Sequence, residues 1–217
     1  MGEYVVCDMD GTITRKDVSV LLLERFAPDK WQDMEELYRT GQWSLKETAL
    51  EEFKLLRQPR DVMEAYVREV VQFDHDFPRF AALCKKSGIG LVIASEGLDF
   101  YIETVLDMIG TKGLEYYGDL AAFGEHFLED IYFPNWNPDC GECGTCKVRI
   151  ILKYQGWGNK VTFIGEGRTD RHAAEVADRV FAKGLLLDYC NEKGIECEDY
   201  EGFDGIIQKM KLEDISK

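Results

Sequence analysis

From residue 80 onward the chain alternates between two hydrophobic periods, and that alternation limits what it can fold into. Helical spacing over 80–86 stops at Gly88 and gives way to the apolar run 90–94. A second helical stretch over 98–109 ends at Gly110, and 114–117 reads as a strand. The pattern resumes with strands predicted over 160–164 and 180–182, a helix over 168–178 between them, and two short C-terminal helices. At the other end, Tyr4-Val5-Val6-Cys7 is a short β-branched run that reads as a buried strand. Strands alternating with helices predict βαβ units around a parallel sheet, in which ligands bind at the carboxyl ends of the strands. Residues 119–139 interrupt the alternation. They are aromatic and turn-rich, and Phe127 with Ile131-Tyr132-Phe133 predicts an antiparallel excursion before a helix near Thr145.

Residues 15–77 have helical spacing throughout and no strand signal. Val18, Leu21, Leu22 and Phe26 share one helix face, and Trp31, Met34, Leu37 and Tyr38 another. Ser44-Leu45-Lys46-Glu47 is a capping box opening a helix to about Leu56. Pro59 precedes a further helix with Val62, Ala65, Tyr66 and Val70 on its apolar face. The expected architecture is an α/β fold: a Rossmann-like parallel sheet core over 1–14 and 78–217, with a small helical cap over 15–77 inserted after the first strand. The aromatics Trp31, Tyr38, Trp43 and Phe53 read as a core stripe rather than a substrate lid.

Charge removes several classes of partner. With 26 Lys+Arg against 41 Asp+Glu the net charge is −15, which disfavours nucleic acid and anionic membrane surfaces. The aliphatic run Val20–Leu23 is far short of the ~20 residues a membrane span needs. Seven cysteines are an odd number, and no basic segment followed by an apolar one opens the chain, so a reducing cytoplasm is expected. The chain is expected to work as a monomer or a homodimer.

Four short polar groups punctuate this framework, three of them directly after predicted strands. Asp8-x-Asp10-Gly11-Thr12 places two carboxylates at the mouth of the sheet, where they can share a metal and divide nucleophilic from acid/base work. Ser95, followed by Glu96-Gly97, offers a hydroxyl and free backbone N–H groups to an anion. Lys147, just inside a predicted helix, is a point charge for phosphate. Gly165-Glu166-Gly167-Arg168-Thr169-Asp170 sets two acids four apart among glycines, suited to a hard cation. Taken singly, each has a bland reading: solvated aspartates in a turn, an N-cap serine, a surface lysine, an acidic first helical turn.

Taken jointly, Asp-x-Asp, Ser, Lys and acid-x-x-x-Asp in this order resemble the haloacid dehalogenase superfamily of phosphohydrolases, and the helical insertion resembles the cap shared by phosphoserine phosphatases. The resemblance implies that Asp8 attacks phosphorus to form an aspartyl-phosphate, and that Asp10 protonates the leaving alkoxide and then activates water. It also implies Mg²⁺ held by the Asp8 side chain, the Asp10 carbonyl and Glu166 or Asp170. Thr12, Ser95, Glu96 and Lys147 would bind phosphate. One departure stands out: the family's last motif usually opens Gly-Asp, and this chain has Gly165-Glu166. Glutamate is a methylene longer, so Glu166 reorients, a water intervenes, or Asp170 takes more of the ligation.

Cys140, Cys143 and Cys146 run into Lys147 with zinc-like spacing, but a tetrahedral site wants a fourth ligand, and His172 and Cys190 are distant in sequence. Reduced thiols packing a loop are expected over a structural zinc. Cys-Gly-x-Cys before the lysine also resembles the 2-hydroxy-3-keto-5-methylthiopentenyl-1-phosphate phosphatases of methionine salvage. Ser95-Glu96-Gly97-Leu98-Asp99-Phe100 and the Ala173-Ala174 to Phe181-Ala182 run look similar too. Phosphocholine and phosphoethanolamine phosphatases share the cysteine-before-lysine feature, and phosphoserine phosphatase is the wider relative. The expected substrate is a small phosphorylated metabolite. A phosphate-binding or zinc-loop interaction protein with little turnover is the reading from another class.

Overall fold

The computed structural model describes residues 2–28 and 30–213; residue 29 of the predicted cap and residues 1 and 214–217 of the predicted core lie outside it. Its strands are β1 (Glu3–Cys7), β2 (Gly90–Leu98), β3 (Glu115–Phe123), β4 (Leu128–Tyr132), β5 (Lys160–Gly165), β6 (Arg179–Ala182) and β7 (Glu198–Asp199). They form one sheet in the order β4-β3-β2-β1-β5-β6-β7, parallel except for the antiparallel β3–β4 pair. The period of two divides the sheet's side chains between two cores. Val5, Cys7, Leu91, Ile93 and Phe181 face one layer of helices, and Val6, Val92, Val161, Phe163 and Val180 face the other. A sheet covered on both faces explains why these strands read as continuous apolar runs.

One covering layer consists of α7 (Lys147–Gly156), α8 (Arg171–Val176) and α9 (Gly184–Lys193), through Ile150, Ile151, Ala173, Ala174, Leu186 and Cys190. The other includes α5 (Phe77–Lys86), α6 (Asp99–Met108) and α10 (Phe203–Lys209). Phe77 and Phe203 meet edge-on with ring centroids 4.9 Å apart, an arrangement worth about 1 kcal/mol beyond the area buried.

Four helices lie between β1 and α5: α1 (Val18–Phe26), α2 (Gln32–Arg39), α3 (Leu45–Phe53) and α4 (Arg60–Val70). The chain segments entering and leaving them pair as a two-stranded ribbon. Thr14 bridges Phe73, Arg15 N donates to Gln72 O at 2.8 Å, and Asp74 N donates to Ile13 O at 2.9 Å. The capping box forms as the sequence predicts: Glu47 N donates to Ser44 Oγ, and Ser44 N to Glu47 Oε2.

Several boundaries differ from the sequence reading, each for a local reason. The helix expected to reach Leu56 ends at Phe53. On α4 the buried side chains are Met63 and Val67, while Val62 is 40% exposed, so the true stripe lies one position along from the expected one. The helix expected over 168–178 is a 3₁₀ turn, Arg168–Asp170, followed by α8, because Asp170 folds back on the N–H groups of Glu166 and Gly167. The strand expected to stop at Ala94 continues to Leu98 across a register shift, so Ser95-Glu96-Gly97 sits within the strand end rather than after it. No helix of the described residues is long and apolar enough to cross a membrane.

Candidate active site

The sheet order sets β2, β1 and β5 side by side, so the segments at their carboxyl ends meet. Asp8 N donates to Ile164 O at 2.9 Å, carrying the β1–β5 ladder one residue past the strand. The chain then turns sharply: the N–H groups of Thr12, Ile13 and Thr14 all reach Met9 O. Gly11 makes the turn with φ +74°, and a Cβ there would stand 2.7 Å from Glu166 Oε1. The backbone angle calls for glycine, and a Cβ there would also push the Glu166 side chain aside. The Glu166 carboxylate thus lies directly against the Asp8–Thr12 turn.

Lys147, the first residue of α7, joins three of the four sequence groups. Its Nζ donates to Asp8 Oδ1 at 2.6 Å and to Asp170 Oδ1 at 2.5 Å, and all three side chains are buried. Asp170 Oδ2 accepts from the N–H groups of Glu166 and Gly167, each at 2.9 Å. Asp10 ties the two parts of the chain together, accepting from Ser95 Oγ at 3.1 Å and from Val18 N, at the start of α1, at 2.8 Å. Ser95 accepts from Gly97 N at 2.9 Å.

Glu96 takes a different position from the one expected. Its Oε2 accepts from Gly144 N at 2.9 Å and Thr145 N at 3.1 Å, so the carboxylate holds the loop that delivers Lys147. A phosphate would be repelled by that carboxylate. Asp119, on β3, supports the same loop by accepting from Thr145 Oγ1 at 3.0 Å. Thr12 and Ser95 are fully packed beneath the site, with exposures of 2% and 0%.

Burial controls the protonation of these groups. It raises Asp8 to about 7, with Asp170 adding to the rise and Lys147 opposing it. Burial and then Asp17 hold Asp10 well above the usual carboxylate range against the hydrogen bonds from Val18 and Ser95. Burial alone would lower the Lys147 ammonium, but Asp170 and Asp8 outweigh it and keep it well above an ordinary lysine. Glu96 rises to about 7 and Asp119 to about 9, both chiefly through burial.

A cavity of about 260 Å³ opens onto this cluster. Asp8, Asp10, Lys147, Glu166 and Asp170 line it from the sheet side, and Trp31, Glu35, Tyr38, Glu52 and Phe53 from the inserted helices. Of the aromatics read from sequence as core, Phe53 is buried and Trp31 packs against the core, while both of them and Tyr38 also line the cavity, and α2 buries no residue. A larger groove of about 470 Å³ between α4 and α6 lies away from this chemistry, among paired charges such as Arg68–Asp107.

Asp8, Asp170 and Glu166 supply the carboxylate oxygens a hard cation takes, and Mg²⁺ needs only one or two of them plus water and substrate oxygens. Among the described residues, no three His, Cys, Asp or Glu side chains are grouped as a metal site. Cys140, Cys143 and Cys146 line a small cavity of about 30 Å³ together with His172, and all seven cysteines are free thiols. Sequence reasoning missed Asp119 and Glu52. Both carried a signal: Asp119 follows the strand predicted over 114–117 by two residues, near a carboxyl end of the sheet, and Glu52 shares the apolar face of α3 with Leu45, Ala49 and Phe53.

Residues 5–175 match the family of haloacid dehalogenase-like hydrolases, and the chain belongs to that family. A 2-hydroxy-3-keto-5-methylthiopentenyl-1-phosphate phosphatase from Brevibacillus brevis is 30% identical over 212 residues, covering 94% of this chain and 93% of that one. The phosphatase of the same name from Bacillus pumilus is 29% identical, over 92% and 87% of the two chains. Among solved structures, phosphoserine phosphatase from T. onnurineus superposes with a TM-score of 0.73 at 15% identity, covering 97% and 95% of the two chains. A phospho-aspartyl intermediate analogue of phosphoserine phosphatase gives 0.72 at 15% identity, over 96% and 98%. At that identity the likeness establishes the fold.

Proposed function

We propose that this chain is a Mg²⁺-dependent phosphomonoester hydrolase acting on a small phosphorylated metabolite through an aspartyl-phosphate. The observation that carries the reading is Lys147, which draws Asp8 and Asp170 together at 2.6 and 2.5 Å beneath the cavity. An Asp8 carboxylate oxygen attacks phosphorus and the bond to the substrate alkoxide breaks. Asp10, whose carboxyl burial raises well above the usual range, gives its proton to that alkoxide. Asp10 then takes a proton from the water that attacks phosphorus, and the bond to Asp8 breaks. Lys147 neutralises charge on the phosphoryl oxygens and keeps Asp8 oriented. Asp8, the Asp10 carbonyl, Asp170 and Glu166 are the groups that would hold Mg²⁺, which when bound neutralises charge on the transferring phosphoryl group.

In this reading the core is 1–14 with 78–217, and 15–77 is a cap that closes the cavity from above. Ser95 and Thr12 position Asp10 and the Asp8 turn, and Glu96 positions the Lys147 loop. Reduced thiols and the absence of a spanning helix among the described residues support a cytoplasmic enzyme, monomeric or homodimeric. The relatives' names make 2-hydroxy-3-keto-5-methylthiopentenyl-1-phosphate the first compound of a substrate panel, with phosphoserine next.

The test is hydrolysis of p-nitrophenyl phosphate. Turnover is expected with Mg²⁺, and its loss on chelation and in Asp8→Asn, by at least about 10³-fold. Unchanged turnover in Asp8→Asn, with the protein still folded, overturns the assignment.

A further inference from the structure

Glu52 occupies a position a folded protein normally gives to an apolar side chain. It lies on α3, seven residues after Leu45 and three after Ala49, so it shares their face toward the cavity. The residue is 8% exposed, its Oε1 is buried without any hydrogen-bond partner, and no cation pairs with it among the described residues. A buried, unpaired carboxyl keeps its proton, and only the arrival of a partner makes its ionised form favourable there.

Its surroundings identify the partner's chemistry. Asp17 and Glu35 also line the cavity, and both act on Glu52 as negative charges. Asp17 already accepts from Ser19 Oγ and Val20 N, which leaves Glu35 and Glu52 as the receiving carboxylates. Trp31, Tyr38 and Phe53 line the cavity too, and Trp31 Nε1 is likewise buried without a hydrogen-bond partner. Among the described residues, Arg168 is the one cation of the lining outside the Asp8–Lys147–Asp170 cluster, and its charge favours the Glu35 carboxylate. Carboxylates beside aromatic side chains suit a positively charged nitrogen, through charge-assisted hydrogen bonds and cation–π attraction. The volume of about 260 Å³ holds roughly nine waters at ~30 Å³ each, enough for a phosphate and a short substituent.

We infer that the distal end of the cavity takes an ammonium or alkylammonium group, with Glu52 as its principal specificity-determining residue, so that the substrate is a short phosphomonoester of an amino alcohol. This rests on the phosphatase reading above. It sets the chain apart from relatives named for 2-hydroxy-3-keto-5-methylthiopentenyl-1-phosphate, a compound without nitrogen.

The test compares phosphocholine with 3,3-dimethylbutyl phosphate, its uncharged isostere of the same shape, and O-phosphoethanolamine with propyl phosphate. The wild type is expected to favour the cationic member of at least one pair by about tenfold or more in kcat/KM. In Glu52→Gln that ratio falls toward one; taken within one preparation, it is insensitive to partial unfolding. Calorimetric titration of Asp8→Asn protein with phosphocholine and its isostere reads the same preference as a ratio of Kd values without turnover. Equal handling of both members of both pairs, or a preference that survives intact in Glu52→Gln, overturns the inference even where p-nitrophenyl phosphate is hydrolysed. Failure to hydrolyse any ester alongside a cation preference in the titration overturns the phosphatase reading instead.

Discussion

Replacing Glu52 by glutamine should make the protein more stable relative to wild type as pH rises. Burial, with Glu35 and Asp17 nearby, lifts this carboxyl from 4.5 to about 8. A folded-state value above the unfolded one means that the native state binds the proton more tightly. The stabilisation from that proton is complete below the unfolded value of 4.5 and is lost as pH climbs toward about 8. Within the window the slope is about 1.36 kcal/mol per pH unit. From pH 5.5 to 7.5 wild type should therefore lose about 2.5 kcal/mol relative to Glu52→Gln, because the other titrating groups are common to both. The assay is urea denaturation of both proteins at the two pH values. With a slope of about 2–3 kcal/mol/M, the gap between their midpoints should change by roughly 1 M. A gap independent of pH would refute the reasoning, since it would mean that Glu52 ionises like a solvated carboxyl and is not the unsatisfied group described above. Saturating phosphocholine should shrink the pH dependence of wild type by pairing the carboxylate.

Other consequences can be checked separately. Lys147→Met strands Asp8 and Asp170 as buried, unpaired carboxylates, which should cost about 3–5 kcal/mol and lower Tm by roughly 10 °C, read by calorimetry alongside loss of turnover. Gly11→Ala forces a Cβ to within 2.7 Å of Glu166 Oε1 at φ +74°, so about 1–3 kcal/mol of stability should go, and the Mg²⁺ concentration for half-maximal turnover should rise. Glu96→Gln weakens the acceptor for Gly144 and Thr145, and hydrogen exchange at those two amides should accelerate by about tenfold, with kcat falling because Lys147 is less firmly placed.

The sheet and the order of its chemistry were legible because both rest on local signals. Val5, Val6 and Cys7 are apolar whichever face they occupy, and Asp8 must follow them at the strand's carboxyl end. The joining of Asp8, Lys147 and Asp170 could be expected from the topology of a parallel sheet, although 139 residues separate the first two. What stayed hidden depends on pairing at a distance. Glu96 looks like a phosphate ligand beside Ser95, and only the folded loop reveals Gly144 and Thr145 as its partners. Trp31 and Tyr38 have the spacing of a core stripe, and periodicity says nothing about whether the facing surface is protein or cavity. On α4, Val62 and Met63 are both apolar neighbours, so spacing alone did not fix which one turns inward.

The ribbon formed by Ile13–Arg15 and Gln72–Asp74 bears on the history of such a molecule. Because the chain departs and returns through hydrogen-bonded neighbours, everything between those points can lengthen, shrink or be exchanged without moving either end of the scaffold. Asp8, Asp10, Lys147, Glu166 and Asp170 lie outside that interval, and only the Val18 N–H that Asp10 accepts comes from within it, whereas Glu35, Glu52, Trp31 and Tyr38 lie inside. Substitutions within that one segment can therefore reshape the wall of the cavity without displacing the Asp8–Lys147–Asp170 cluster.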